Sequence, residues 1–492
     1  ECGKNENLTL SFINELVDDL KKDLKDLAKV KTLHSFALSV LKDIWPKLDI
    51  SRYFLDLEEI IQEDYNIIEG EKIVFKDIFH DLINDEKALS FYTERRKYYN
   101  YFSSNCSVYA LIKSFEEDEN RVPKYSLLLI DEFQDFNLLE INLIDWLSKK
   151  SPILIVGDDD QSLYSFKNAK PQNIRDKDSS ENYTSFDLSF CSRCTEVIVK
   201  AFNSVVIRAS EEGFLKDRKK EKDFFYFRCE NQDKESEKNP HILIKTHVEQ
   251  GMVAYNIKQA IEGSFPGEED NGRNISVLII CPSTKNNILK DKLEKYLRLQ
   301  GFKNIQNSKL EAKDNLLYGL ELLLKPGNSK CNLGWRIVSK HMLEQKIFDN
   351  VVTQSHKTEK SFKSFIDKKN TKYVSSILKI LRKIRDNNQT NEDDLNKVFC
   401  FLDIDLKNIA IQKIKSDLEE KRASKNLHKN TSIKITTILG SKGLTSDYVF
   451  MVNFDDKFLL DNGKISDEKI CNFLVALTRA RKKLFIYTSS KQ

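Results

Sequence analysis

The chain has 492 residues, too many for a single hydrophobic core, so two to four domains are expected. Its 79 Lys and Arg against 76 Asp and Glu give a net charge of +3. That balance neither demands nor excludes nucleic acid, and it confines any basic surface to a local patch. Nine irregularly spaced cysteines argue for reduced thiols rather than a disulfide scaffold. No run of eighteen apolar residues and no cleavable leader occur, so the chain is expected to be soluble and cytoplasmic, with no membrane partner.

Residues 8–12 read as a short strand, followed by an amphipathic helix through Leu16, Leu20, Leu24 and Leu27. Residues 32–41, TLHSFALSVL, read as a capped helix start with Phe36, Val40 and Leu41 on its apolar face; His34 fits a first-turn packing position. Residues 42–122 are mostly helical and charged, an insertion without a strand ladder. Within it, FYTERRKYYNYF (91–102) admits two readings: an amphipathic helix, favoured by the spacing of Phe91, Arg95, Tyr98 and Phe102, or a base-stacking face beside Arg95, Arg96 and Lys97.

Residues 127–135, LLLIDEFQD, are the centre of the pattern. Four apolar residues followed at once by two acids describe a buried parallel strand delivering Asp131 and Glu132 to the carboxyl edge of a sheet, where open α/β sheets bind ligands. Such a pair suits nucleoside triphosphate chemistry, one acid holding Mg2+ and the other serving the attacking water. A buried strand meeting an acidic helix start gives the same pattern without chemistry. A helix through Leu138 to Trp146 and a second buried strand at 153–156 complete a parallel α/β unit. It ends in GDDDQSLYSFK (157–167), where Gln161 suits a terminal phosphate and Tyr164 and Phe166 suit either bases or the core.

Residues 186–206 read as a strand end and a helix whose first turn carries Arg193, between Cys191 and Cys194. That CxxC has no second pair to complete a zinc site, and a redox or metal role is the minor reading there. Residues 216–223 and 230–240 are charge runs, read as solvated loops around a strand at 224–227. Strands at 242–246 and 275–281 and helices at 248–261 and 286–299 form another α/β repeat. Helical stripes dominate 310–430, ending in a charged linker at 419–430. Strands at 433–437, 448–453 and 484–487 resume the sheet, with GSKGL (440–444) and VALTRARKKL (475–484) between them.

DEFQD, GDDDQSLYSF, the Arg193 helix, TTILGSKGL and VALTRA resemble, in order and approximate spacing, the motor core of UvrD/Rep/PcrA-type superfamily 1 DNA helicases. TLHSFAL and LSFIN resemble two earlier motifs of that family. Any one of these is weakly specific; seven in sequence are not. The resemblance implies an α/β fold of two RecA-like parallel-sheet domains of the P-loop NTPase class with mainly helical insertions. The first occupies residues 1–185, with an insertion at about 42–122; the second occupies 186–309 and 432–492; a helical insertion domain occupies 310–431.

It also implies an ATP-dependent DNA helicase or translocase, with ATP and Mg2+ as cofactors. Asp131 would hold the metal, Glu132 would activate water, Gln161 would sense the γ-phosphate, and Arg193 and Arg479 would act as arginine fingers from the second domain. Gly443 and Thr445 would join Gln161, Arg193 and Arg479 around the nucleotide. Phe12, Asn14, Thr32, His34, Tyr164, Phe166, Lys167, Ser441 and Lys442 would follow the single strand, and 3′ to 5′ movement is the family's usual direction. Implied partners are single-stranded and duplex DNA and a protein such as a nuclease or repair factor.

The pattern departs from the family at several places: Thr445 stands where Glu is usual, Leu439 for His, Ser192 for Tyr in the Arg193 motif, and Leu474 for Tyr before VALTRA. No G-x-x-x-x-G-K-[ST] phosphate loop occurs in the 492 residues, and the expectation is that a preceding segment supplies it. The rival reading is a helicase-shaped protein that binds single strands or assembles with others and does not hydrolyse ATP. The retained acids and arginines weigh against it.

Overall fold

The computed structural model describes residues 6–11, 14–47, 49, 51–161, 168–216, 224–246, 248, 250–264, 274–282, 288–307, 315–356, 358, 360–386, 390–403, 430–456, 460 and 463–488. Residues 217–223 of the charge run expected as a loop at 216–223, and 419–429 of the expected linker, lie outside them.

The first lobe is built on a parallel four-stranded sheet in the order β2-β1-β3-β4: β1 Asn7–Ser11, β2 Lys29–Thr32, β3 Leu127–Ile130 and β4 Ile153–Ile155. β3 lies between β1 and β4, with Leu10 opposite Ile130 and Ile130 opposite Ile155. Alternation along β3 puts Leu128 and Ile130 into the core, against Phe36 from the helix Leu33–Ile44 and Leu139 and Leu143 from the helix Leu138–Ser148. β4 differs from the expected buried strand. Leu154 and Val156, on one face by the same alternation, are 48% and 39% exposed, so that face of β4 is uncovered among the described residues.

The second lobe carries a parallel six-stranded sheet in the order β7-β12-β11-β8-β10-β9. Its members are β7 Leu243–Lys245, β8 Ile275–Cys281, β9 Ile305–Asn307, β10 Thr431–Thr437, β11 Ser446–Val452 and β12 Ala480–Tyr487. Helices cover both faces, which explains the nearly unbroken apolar runs of β8 and β11. Leu278, Ile280, Val449 and Met451 pack toward the helices Glu196–Glu211 and Asp467–Leu477. Val277, Ile279 and Phe450 pack toward Gln250–Ser264 and Ile288–Leu299. A parallel pair, β5 Phe190–Cys191 and β6 Phe225–Tyr226, flanks the Glu196–Glu211 helix. The run at 230–240 is a helix, Glu230–Lys238, rather than a loop. Its acidic first turn faces the positive helix end, and Lys234 pairs with Glu230 at 2.6 Å one turn away.

The two helical insertions pack on each other. Leu322, Leu333 and Ile337 join the first lobe's core, and a buried charge cluster reinforces the seam. Asp64, on the helix Leu57–Glu69, accepts from Arg95 Nη2 at 2.6 Å, from Tyr99 Oη at 2.5 Å and from Arg336 Nη2 at 2.9 Å. Burial opposes the charge on Asp64, yet the two guanidiniums hold its carboxyl below the ordinary range. The 91–102 segment is therefore core: Arg95 is 1% exposed, and Phe91 and Tyr99 are buried with it. No helix among the described residues is long and apolar enough to cross a membrane.

Candidate functional site

β3 hands the chain directly to the acids. The Asp131 N–H still donates to the Leu10 carbonyl at 2.9 Å, as a strand residue would, and Glu132 then turns at φ 55° into a short 3-10 helix, Phe133–Asp135. This left-handed turn is rare for a residue with a Cβ and persists only where the surroundings fix it. Here Gln134, fully buried, donates to Glu132 Oε2 at 2.6 Å and accepts from the Asp158 N–H at 3.0 Å, linking the ends of β3 and β4. Gln161 follows Asp158 on the next turn and donates to its carboxylate at 2.6 Å.

Two groups of the second lobe meet this edge. Arg479 stands between the helix Asp467–Leu477 and β12, anchored by its own donation to the Val475 carbonyl at 2.8 Å, and its Nη2 donates to Gln161 Oε1 at 3.1 Å. Lys442 follows the turn Ile438–Ser441 after β10. Its ammonium lies 2.7 Å from Asp135 Oδ1 and 2.6 Å from the Gln161 carbonyl, and 3.8 Å from Glu132. Residues 307 apart in sequence thus form a buried ion pair between the lobes. Removing one partner of such a pair costs about 3–5 kcal/mol, because the other charge stays buried.

The electrostatics mark the same cleft. Burial, and then the neighbouring Glu132 charge, push the Asp131 carboxyl up to about 6. Burial, and then the like charge of Arg193, pull Arg479 down to about 10, with Glu132 and Asp158 acting in the opposite sense. Arg479 therefore feels the charges of Arg193, Glu132 and Asp158. Arg193 itself is exposed and, with Thr445, Asp447, Arg481 and Lys482, lines an open pocket on the second lobe that takes in none of the first-lobe acids. Arg481 donates to Thr445 Oγ1 at 2.8 Å, and Gly443 supports its turn at φ 75°. The hard carboxylate oxygens of Asp131 and Glu132 suit a divalent cation, and the Arg479 guanidinium facing Gln161 suits polyphosphate oxygens.

The expected single-strand residues fare differently. Phe12, Tyr164, Phe166 and Lys167 lie outside the described residues, as does the side chain of Asn14. Thr32 caps the helix Leu33–Ile44, its hydroxyl accepting from the Ser35 N–H at 3.3 Å, and His34 Nε2 is 3.3 Å from Glu140. Ser441 and Lys442, expected at DNA phosphates, are buried, and the Lys442 ammonium is engaged with the first lobe instead. Sequence reasoning gave no role to Gln134 or Asp135. Their partners sit across the cleft or on a neighbouring strand end, where no local spacing reveals them.

Residues 76–182 match the family model of the UvrD/REP helicase N-terminal domain, and residues 336–491 match that of the UvrD-like helicase C-terminal domain. Among curated proteins, the chain is 38% identical over 90 residues to the ATP-dependent DNA helicase Rep of Buchnera aphidicola subsp. Schizaphis graminum, covering 18% of this chain and 14% of that protein. It is 27% identical over 210 residues to an ATP-dependent helicase/nuclease subunit of Lactobacillus helveticus, covering 40% of this chain and 16% of the relative. A Rep helicase of Buchnera aphidicola subsp. Baizongia pistaciae is 24% identical over 224 residues, covering 39% of this chain and 33% of the relative. The chain thus spans a third or less of the length of each of these relatives.

Proposed function

The chain belongs to the UvrD/Rep helicase family, whose two domain models together match more than half of it, and from that footing we propose that it is the motor part of an ATP-dependent DNA translocase or helicase. Such domains have RecA-like P-loop NTPase folds. The observation that carries the proposal is the Arg479 guanidinium of one lobe donating to Gln161 of the other, beside Glu132.

In this reading Asp131 holds Mg2+, which when bound neutralises phosphate charge. Glu132, oriented by Gln134, takes the proton of the attacking water. Gln161 reports the γ-phosphate to the second lobe through Arg479. Arg193 and Arg479 stabilise the charge that builds on the transferring phosphoryl group. Gly443 and Thr445 border the nucleotide. Lobe closure around the nucleotide exchanges the Lys442 contacts and moves the strand-binding faces, so that hydrolysis is converted to steps along DNA. Thr32, His34 and the aromatics Phe12, Tyr164 and Phe166 belong to that single-strand path, with Asn14 and Lys167. The 3′ to 5′ direction, a cytoplasmic location and a nuclease or repair partner follow the family resemblance.

Hydrolysis also requires a phosphate-binding loop, and the uncovered face of β4 beside Gly157 leaves room for further structure next to the acids. The test is ATP hydrolysis, with and without single-stranded DNA, by the protein as made from its own gene. Stimulation by the strand, lost in Glu132→Gln while strand binding persists, is the expected outcome. Salt-sensitive strand binding with no hydrolysis in the unaltered protein would replace the motor by the non-hydrolysing, strand-binding reading.

A further inference from the structure

The CxxC around Arg193 has no part in the chemistry above. Cys191 ends β5, half-buried, its carbonyl accepting from the Phe227 N–H at 3.1 Å. Cys194 comes three residues later, just before Thr195 at the start of the Glu196–Glu211 helix. It is 1% exposed, its S–H donating to the Thr478 carbonyl at 3.6 Å, and its side chain interacts with that of Cys191. The surroundings of Cys194 are fixed: Thr195 N–H donates to the Arg481 carbonyl at 3.2 Å, and Gln232 donates to the Cys194 carbonyl at 2.7 Å. Only Ser192 and Arg193, both exposed, separate the two cysteines. Among the described residues, no third His, Cys, Asp or Glu joins them as a metal ligand set.

The two thiols are also chemically unequal. Interaction with the Cys194 side chain, backed by the N–H groups of the turn and the charge of Arg193, draws Cys191 down to about 6; the same interaction and burial push Cys194 well above its ordinary value. An accessible thiolate in contact with a buried thiol is the division of labour of a dithiol that closes to a disulfide.

We propose that Cys191 and Cys194 form a reversible thiol–disulfide switch, oxidised by a small disulfide of the glutathione type, that resets the loop presenting Arg193 to the nucleotide cleft. The Cys191 thiolate attacks one sulfur of the oxidant, whose S–S bond breaks and releases one thiolate. Cys194 then gives up its proton and attacks the Cys191 sulfur, expelling the second thiolate. Two protein thiols are oxidised, and one small disulfide is reduced to two thiols. Closure removes the negative charge beside Arg193 and takes the Cys194 thiol off the Thr478 carbonyl, next to Arg479. The disulfide stands independently of the motor reading; its consequence at Arg193 rests on that reading.

The test equilibrates the protein in reduced and oxidised glutathione, quenches with acid, alkylates and maps peptides by mass spectrometry. A Cys191–Cys194 disulfide reversed by dithiothreitol is expected, with glutathione trapped on Cys191 in Cys194→Ser and no adduct on Cys194 in Cys191→Ser. Absence of that link under conditions that already glutathionylate the exposed Cys229 and Cys400 overturns the switch, without reference to nucleotide. Strand-stimulated hydrolysis by the same samples tests the coupling. A several-fold fall on oxidation, reversed by dithiothreitol and missing in Cys191→Ser, supports it; a proven disulfide with unchanged hydrolysis overturns it.

Discussion

Asp131 shows at the level of one side chain what the site costs the fold. Its carboxyl ionises at about 6 in the folded protein against about 3.9 in an unfolded chain. The folded state therefore holds the proton more tightly. The stability this group contributes is present below pH 4 and lost as pH rises through 6. Asp131→Asn removes that loss and keeps the shape, so the variant should be more stable at pH 8 by up to about 3 kcal/mol, with a smaller gain at pH 5. Urea unfolding at the two pH values measures this, and an equal or reversed difference would contradict the burial-driven shift. As positions at the cleft, Asp131, Glu132 and Gln161 were legible in the sequence because each follows an apolar strand, and Arg479 through the family resemblance alone. Lys442 was not: its basic side chain near a glycine turn reads as a phosphate ligand, and only the folded chain reveals Asp135 beneath it.

Among the elements, the long apolar ones could be read directly. β8, β10 and β11 fall within two residues of the runs expected for them, since strands covered on both faces need continuous apolar sequence. Two short strands were missed. β2, KVKT, and β9, IQN, carry too few apolar residues to show a period and are strands because an established neighbour, β1 or β10, supplies their hydrogen bonds. The Glu230–Lys238 helix was hidden by its charges, which read as solvent-facing in either conformation.

The turn after β4 offers a test at this scale. A Cβ on Gly157 would lie 2.5 Å from Gln134 Oε1 and 2.6 Å from Ile174 Cδ1, so no side chain fits without moving the glutamine that orients Glu132. Gly157→Ala should cost roughly 1–3 kcal/mol in unfolding free energy. It should also lower the turnover number for ATP with little change in single-strand binding. An alanine variant of unchanged stability and turnover would remove Gln134 from the positioning role.

At the scale of the whole molecule, two sheets from separate stretches of chain meet through Lys442 and Arg479 at the turns after β3 and β4, and the insertions between their strands are bound to each other through Asp64, Arg95 and Arg336. The alternation of strands and helices foretold parallel α/β units, and the family resemblance their division into two lobes. It did not foretell the joined insertions, because one buried acid shared by arginines 241 residues apart leaves no local pattern. The account depends on one nucleotide being held by acids of one lobe and guanidiniums of the other. The most direct measurement is strand-stimulated ATP hydrolysis by Arg193→Ala and Arg479→Ala, each checked for intact folding and single-strand binding. Each is expected to lose about 10³-fold or more in turnover, the scale of an arginine finger. Two folded, strand-binding variants that hydrolyse ATP at the unaltered protein's rate would contradict the shared pocket.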